Sequence, residues 1–462
     1  MRDQPQLVTY ADRLAGDLAG LRSFLNDTVP GAFGGVHVLP FFVPIDGSDA
    51  GFDPADHTTV DPRLGTWSDV ADLGRDVDVT ADLIVNHIST DSAQFIDWMR
   101  RGDESPHASM FLSPAAVFGG EPTDIERATI FRPRPTPPFH DVELADGSTR
   151  TVWSTFTHQQ IDIDVESGAG WDYLIDVLDR FGEAGVDVVR LDAIGYAIKR
   201  AGTSCFMIPE TYAFIDRLTA AARERDMSVL VEVHGYHRDQ IDVAARVDRV
   251  YDFALPPLAI DAVTTGDAEP LRAWIRMRPN NAINVLDTHD GIGVIDVGVD
   301  QRDRSREGVL FPARIRDLIE GIHARSKEES LLATGAAAAN LDLYQVNCTF
   351  YDALGRDDAR YLAARMIQLM LPGIPQIYYV GLLAGSNDMD LLAKSGDGRD
   401  INRHHYTDTE IAAALGRPVV RELLAMLRWR ATDPAFDGEF ELVDSPAGTL
   451  RMRWTNGAAV AD

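Results

Sequence analysis

Residues 188–206 read VVRLDAIGYAIKRAGTSCF, and the rest of the chain takes its bearings from this stretch. The apolar residues Val188, Val189 and Leu191 lead into Asp192, and Gly195 then breaks the extended pattern. Alternate side chains of a strand share a face, so Arg190 and Asp192 point one way while Val189 and Leu191 point the other. An arginine two residues before a carboxylate, at the C-terminal end of a buried strand, keeps that carboxylate ionised and aims it. Two readings stand at this point: a structural ion pair at a strand end, or a nucleophilic carboxylate held in place.

The run is one of eight. Leu7–Tyr10, Val36–Phe42, Ala81–Asn86, Asp187–Asp192, Ser228–Val233, Arg249–Phe253, Ile283–Asp287 and Gln376–Val380 all read as short, near-continuous apolar strands. Segments with apolar residues at helical spacing lie between several of them, as in Gly170–Ala184 and Thr211–Asp226. Eight buried strands alternating with helices predict an α/β fold, a (β/α)8 TIM barrel. Residues 1–85, 166–291 and 356–430 supply the barrel. Insertions at 86–165, after the third strand, and 292–355, after the seventh, leave the strand ends at which barrel active sites form. Past Trp429, the runs GEFELVD and TLRMRW predict a small C-terminal β segment over 431–462.

Composition narrows the partners. The formal charge of −29 opposes nucleic acid and anionic membrane surfaces. Only Lys199, Lys327 and Lys394 are lysines, so almost all positive charge is arginine. Cys205 and Cys348 make no disulfide framework, and the N-terminus lacks the pattern of a signal peptide, so a cytoplasmic setting is expected. The apolar stretch 366–385, MIQLMLPGIPQIYYVGLLAG, has the length of a membrane span, but its prolines and glutamines favour a buried helix, a Pro-Gly turn and a core strand.

Three strand ends carry acids. Asp192 ends the fourth strand, Glu232 the fifth, and Asp290 follows the seventh; His87 and His289 stand beside them in LIVNH and DTHD. In a barrel these positions converge at one mouth. Crowded buried acids repel, so one should hold a proton near neutrality. One ionised carboxylate and one protonated one, roughly 5–5.5 Å apart, are what a retaining glycosidase requires. No HxH, HExxH or repeated Asp spacing supports a metal site, and no cofactor is expected.

The motifs DLIVNH, DVVRLDAIG, LVEVHGY and VLDTHD resemble the four signature regions of the α-amylase family of glycoside hydrolases. GYAIKRAGTSCFM, RVDRVYDFALPPL, DTHDGIGVIDVG, NLDLYQVN and GRDINRH are similar to the sucrose phosphorylase group within that family. The resemblance implies Asp192 as nucleophile, Glu232 as general acid/base and Asp290 as transition-state stabiliser. It implies that Asp49, His87, Gln160, Arg190, His289 and Arg399 bind a donor glucose. The implied reaction is phosphorolysis of a sucrose-type α-glucoside to α-glucose 1-phosphate, by a monomer or homodimer. Members of the group usually end in a fuller β domain than 431–462 has room for.

A phosphorylase must also hold a dianion, and arginine suits bidentate phosphate contact. Arg132 and Arg134 in FRPRP, with Asp342, Leu343, Tyr344 and Gln345, fall where the resemblance puts phosphate and acceptor. His158 and His237 stand where the sucrose enzymes tend to carry uncharged residues. With the two arginines they would add positive potential at the outer acceptor site, which leans the expectation to sucrose 6F-phosphate, releasing fructose 6-phosphate. Sucrose itself is the alternative, followed by glucosylglycerol or glucosylglycerate as substrate, or a hydrolase or transglucosylase of the same fold.

Overall fold

Strands that are apolar along their whole length need cover on both faces, and a closed parallel sheet sheathed by helices supplies it. The computed structural model describes residues 2–134, 136–334, 344–446 and 448–462. Its eight barrel strands are β1 (Gln6–Thr9), β2 (Gly35–Val38), β3 (Asp78–Ile84), β4 (Val188–Asp192), β5 (Ser228–Val231), β6 (Arg249–Asp252), β7 (Ala282–Asn284) and β8 (Ile374–Tyr378). They close in the order β1-β8-β7-β6-β5-β4-β3-β2, every pair parallel. The (β/α)8 barrel expected from the strand pattern is the fold observed. All seven residues of β3 are buried, as a barrel wall between lumen and helices requires.

Helices Gly168–Glu183 and Pro209–Arg223 follow β3 and β4, each with one buried apolar stripe. The second apolar run ends early, at Val38. Pro40 lacks an N–H for the ladder, and Phe42–Val43 pairs antiparallel with Asp56–Val60 outside the barrel. The first insertion returns to its own start, because Gln160–Asp162 pairs antiparallel with His87–Ser89. The buried Lys199 ammonium joins that return strand to the segment after β4, 2.7 Å from Asp162 and 2.7 Å from Asn86 Oδ1. In the second insertion, Ile292–Gly293 pairs with Gln345–Val346. The chain ends in a three-stranded antiparallel sheet, Glu439–Val443, Arg451–Asn456 and Ala459–Ala461. It packs beside the start of β8, where Trp454 Nε1 donates to Met370 O at 2.7 Å.

The barrel lumen is polar beneath the mouth. Arg190 on β4 is paired in register with Asp82 on β3, and its Nη1 donates to Asp82 Oδ1 at 2.5 Å and to Asp192 Oδ1 at 2.8 Å. The other Asp82 oxygen meets His37 Nε2 at 2.9 Å. His37 Nδ1 lies 3.3 Å from the Tyr251 hydroxyl, which donates to Gln376 Oε1 at 3.3 Å. Side chains of five strands are thus linked below Asp192.

The apolar stretch 366–385 resolves into the end of helix Asp358–Met370, a turn and β8. Among the described residues no helix is long and apolar enough to cross a membrane. The turn depends on Gly373, whose φ is +102° and whose added Cβ would fall 2.2 Å from Ala282 O. Gly373→Ala should destabilise the protein by more than about 1 kcal/mol in urea denaturation, since both the backbone region and the space exclude a side chain.

Candidate active site

The convergence of strand ends puts Asp192, Glu232 and Asp290 on one pocket at the C-terminal mouth. Asp49, His87, Gln160, His289 and Arg399 line it too, and so do Arg134, Tyr344 and Gln345. The enclosed part of the pocket is small, about 60 Å³, and opens to solvent at the mouth. Phe52, Pro133, Phe156, Ala193, Tyr196 and His234 complete the lining.

Asp192 is the last residue of β4, and Glu232 directly follows β5, its N–H donating to Leu191 O at 3.3 Å. Ala193, at φ +54°, turns its N–H onto Glu232 Oε2 at 3.0 Å. A left-handed non-glycine residue here is strained, and the result is that the two carboxyls face one space. Burial pushes the Asp192 carboxyl well up. Arg190 opposes this, while the charges of Glu232 and Asp82 reinforce it.

Asp290 differs. Burial works against its charge, but His289 and the cations Arg399 and Arg403 hold it well below the usual carboxylate range. Arg399 Nη1 lies 3.3 Å from Asp290 Oδ1, and Nη2 bonds Asp49 Oδ1. Asp49 is accordingly kept down at about 2, its burial outweighed by Arg399, Arg403 and Arg134. The loop that carries Asp290 is gripped from behind. Asn402 Nδ2 donates to Thr288 O at 2.9 Å, and Arg403 Nε donates to His289 O at 2.9 Å.

The histidines divide by environment. Burial depresses His87, and it depresses His289 to about 3, so both act as neutral hydrogen-bonding rings. His87 Nε2 is 3.0 Å from Phe52 O, while His289 stacks on Phe52 at 4.6 Å. His234 goes the other way. Burial alone would lower it, but the charge of Asp296 and a 2.9 Å bond from His234 Nδ1 push it up to about 9. Its Nε2 has no hydrogen-bond partner among the described residues and stands 3.9 Å from Glu232 Oε1. His234 is thus a cation at neutral pH with a free donor facing the pocket.

Not every expected residue reaches the pocket. Arg132 bonds Thr136 O at 3.4 Å and is not part of the lining. His158 is exposed and stacks on His140 at 4.1 Å. His237 opens the helix His237–Ala244, is buried edge-on to Trp274 at 5.9 Å, and is lowered to about 4 by burial and Arg238. It is neutral and turned away, because helix geometry carries it off the line of the strand end. Asp342 and Leu343 lie outside the described residues. His234 was available from the same LVEVHGY run: it stands two residues after Glu232, and extended residues two apart share a face. Among the described residues no cluster of three or more His, Cys, Asp or Glu is placed to hold a metal ion.

Residues 8–271 match the family described as alpha amylase, catalytic domain. The chain is 56% identical to a sucrose phosphorylase of Agrobacterium vitis, over 98% of this chain and 93% of that one. It is 50% identical to a sucrose phosphorylase of Bifidobacterium adolescentis, over 98% and 90%. The crystal structure of a sucrose 6F-phosphate phosphorylase from Thermoanaerobacter thermosaccharolyticum superposes with a TM-score of 0.92 at 36% identity, over 99% of this chain and 91% of that one.

The raised His234 makes a pH prediction. A group raised on folding stabilises fully below its unfolded pKa, near 6.5, and that contribution fades as pH climbs through about 9. Wild type should therefore lose up to about 3 kcal/mol more unfolding free energy than His234→Gln between pH 6 and 9.5. Urea titrations at the two pH values, with parallel losses for both proteins, would remove the charge assignment.

Proposed function

From the premise that this chain belongs to the α-amylase family, in the group that holds the sucrose phosphorylases, we propose that it transfers glucose from sucrose to inorganic phosphate. The products are α-glucose 1-phosphate and fructose. Asp192 attacks the anomeric carbon while Glu232 gives its proton to the departing fructosyl oxygen, leaving a β-glucosyl ester on Asp192. A phosphate oxygen then attacks the same carbon, its proton passes to Glu232, and the ester bond to Asp192 breaks. Two inversions restore the α configuration.

The residues around the acids suit these steps. Arg190 stabilises the Asp192 carboxylate both before attack and as it departs. Asp290, held ionised by Arg399 and Arg403, places negative charge beside the sugar as oxocarbenium character grows. Asp49, His87, Gln160, His289 and Arg399 offer polar contacts to glucose hydroxyls around Phe52. On the acceptor side, Arg134 and the His234 cation would receive the phosphate dianion. Burial lowers the Arg134 pKa without making it neutral at physiological pH, as an arginine starts so high.

Free fructose as the acceptor product is the reading carried by one observation: of the four cationic candidates for a fructose phosphate, only Arg134 faces the pocket. Arg132, His158 and His237 do not, so the extra positive potential that would favour sucrose 6F-phosphate has no support from their placement. The 56% and 50% identities to sucrose phosphorylases, against 36% to the sucrose 6F-phosphate enzyme, point the same way.

The test is phosphorolysis of sucrose and of sucrose 6F-phosphate by the purified protein at saturating phosphate. Sucrose should be preferred in kcat/KM by tenfold or more, about 1.4 kcal/mol. A tenfold preference for the phosphorylated sugar would transfer the reading to that substrate, and glucose release without glucose 1-phosphate would make the protein a hydrolase. Asp192→Asn should abolish formation of glucose 1-phosphate while leaving the melting temperature within a few degrees.

A further inference from the structure

The segment after the nucleophile, GYAIKRAGTSCFM, is absorbed by none of these roles, yet it is built with unusual constraint. Cys205 and Met207 both have left-handed backbone, at φ +53° and +47°, and they flank Phe206. Non-glycine residues pay strain for that region, and two of them around one buried ring must be held by their surroundings. The holding contacts are on the page. Met207 N donates to Gly195 O at 3.0 Å, Ser204 Oγ bonds Phe206 O at 3.1 Å, and Cys205 N reaches Thr203 Oγ1 at 3.1 Å.

The ring of Phe206 enters a slot cut by two glycines. A Cβ on Gly195 would come within 2.7 Å of Phe206 Cε2, and one on Gly235 within 3.2 Å of Cε1. Gly195 lies three residues past Asp192 and Gly235 three past Glu232, so the ring sits between the segments that carry both acids. On one face it stacks flat on Phe131, centroids 4.2 Å apart at 12°. Arg302, from the second insertion, stands 5.8 Å from the ring, and Tyr196 of the pocket wall lies 4.7 Å away. A backbone bond reinforces the stack, Phe131 N donating to Ser204 O at 2.9 Å.

Phe131 is three residues before Arg134, whose guanidinium lines the pocket. Between them the chain makes no regular element, so the anchor at Phe131 limits the positions open to the arginine three residues on. The geometry points to Phe206 as a positioning residue for the phosphate acceptor: its ring fixes the Phe131–Arg134 segment, and so sets how the glucosyl enzyme is shared between phosphate and water. This rests on the phosphorylase reading above and extends it to a residue that touches neither substrate.

The test compares Phe206→Ala with wild type in three measurements: KM for inorganic phosphate during sucrose phosphorolysis, glucose release from sucrose without phosphate, and hydrolysis of α-glucosyl fluoride. Phe206→Ala should raise KM for phosphate tenfold or more, with the two phosphate-free rates changed less than threefold. The ratio of glucose 1-phosphate to glucose at fixed phosphate falls accordingly. A merely structural role would lower kcat for phosphorolysis and both phosphate-free rates by one factor, and that result, or an unchanged KM for phosphate, overturns the inference. If Phe206→Ala does not fold, Phe131→Ala opens the same stack from the insertion side and decides in its place by the same readouts. A wild-type protein that makes no glucose 1-phosphate would instead sink the phosphorylase reading, so the two failures are distinguishable.

Discussion

A single buried guanidinium organises this protein. Arg190 is 2% exposed and gives one nitrogen to both Asp82 and Asp192. A lone ion at that depth would cost several kcal/mol, so each member of the trio requires the others. Asp82 in turn is held below the carboxylate range, its burial outweighed by His37 and Arg190. Through His37, Tyr251 and Gln376 the requirement passes to β2, β6 and β8. The lumen is consequently polar where many barrels stack branched aliphatics, and the apolar lumen cluster around Val188, Leu230 and Ile283 is small. A slip of β4 against β3 would separate Arg190 from Asp82, so barrel register and site electrostatics are set by the same contact.

The donor side is rigid for a related reason. Its acids stand on strand ends, and the loop carrying Asp290 is fastened by Arg399, Asn402 and Arg403, all from a five-residue stretch. Each cation there answers a carboxylate or a carbonyl, which lets many charges share a small volume in a chain of net charge −29. The acids nevertheless differ in kind. Asp290 meets several cations and is ionised outright, whereas burial pushes Asp192 up against the pull of Arg190.

Much of this was legible in the sequence, and what was not has physical reasons. The eight strands announced themselves because barrel walls are apolar throughout, and the acids at their ends converge by topology alone. The family resemblance carried Asp49, Gln160 and Arg399, which no local periodicity would have singled out. The polar lumen stayed hidden because its members are single residues on separate strands, joined only when the barrel closes. His237 misled because four residues of one motif, His234 to His237, cross from extended chain into a helix, and only the first faces the pocket. His158 and Arg132 misled because proximity to a functional loop in sequence does not fix which way a side chain turns.

The acceptor side obeys a different constraint from the donor side. On the proposed reaction a phosphate dianion comes close to two carboxyls, which is tolerable only if fixed cations meet it there. His234 is one, and its charge is secured by Asp296 on the second insertion. Arg134 is the other, and it comes from the first insertion, far from any barrel strand in sequence. The two insertions meet at the segment after Asp192, through Phe131 and Ser204 on one side and Arg302 on the other. The chain following Asp192 is therefore where both insertions are anchored. On the proposed reaction the acceptor would be set by loop anchors, while Arg190, Asp192 and Glu232 stay where the strands put them.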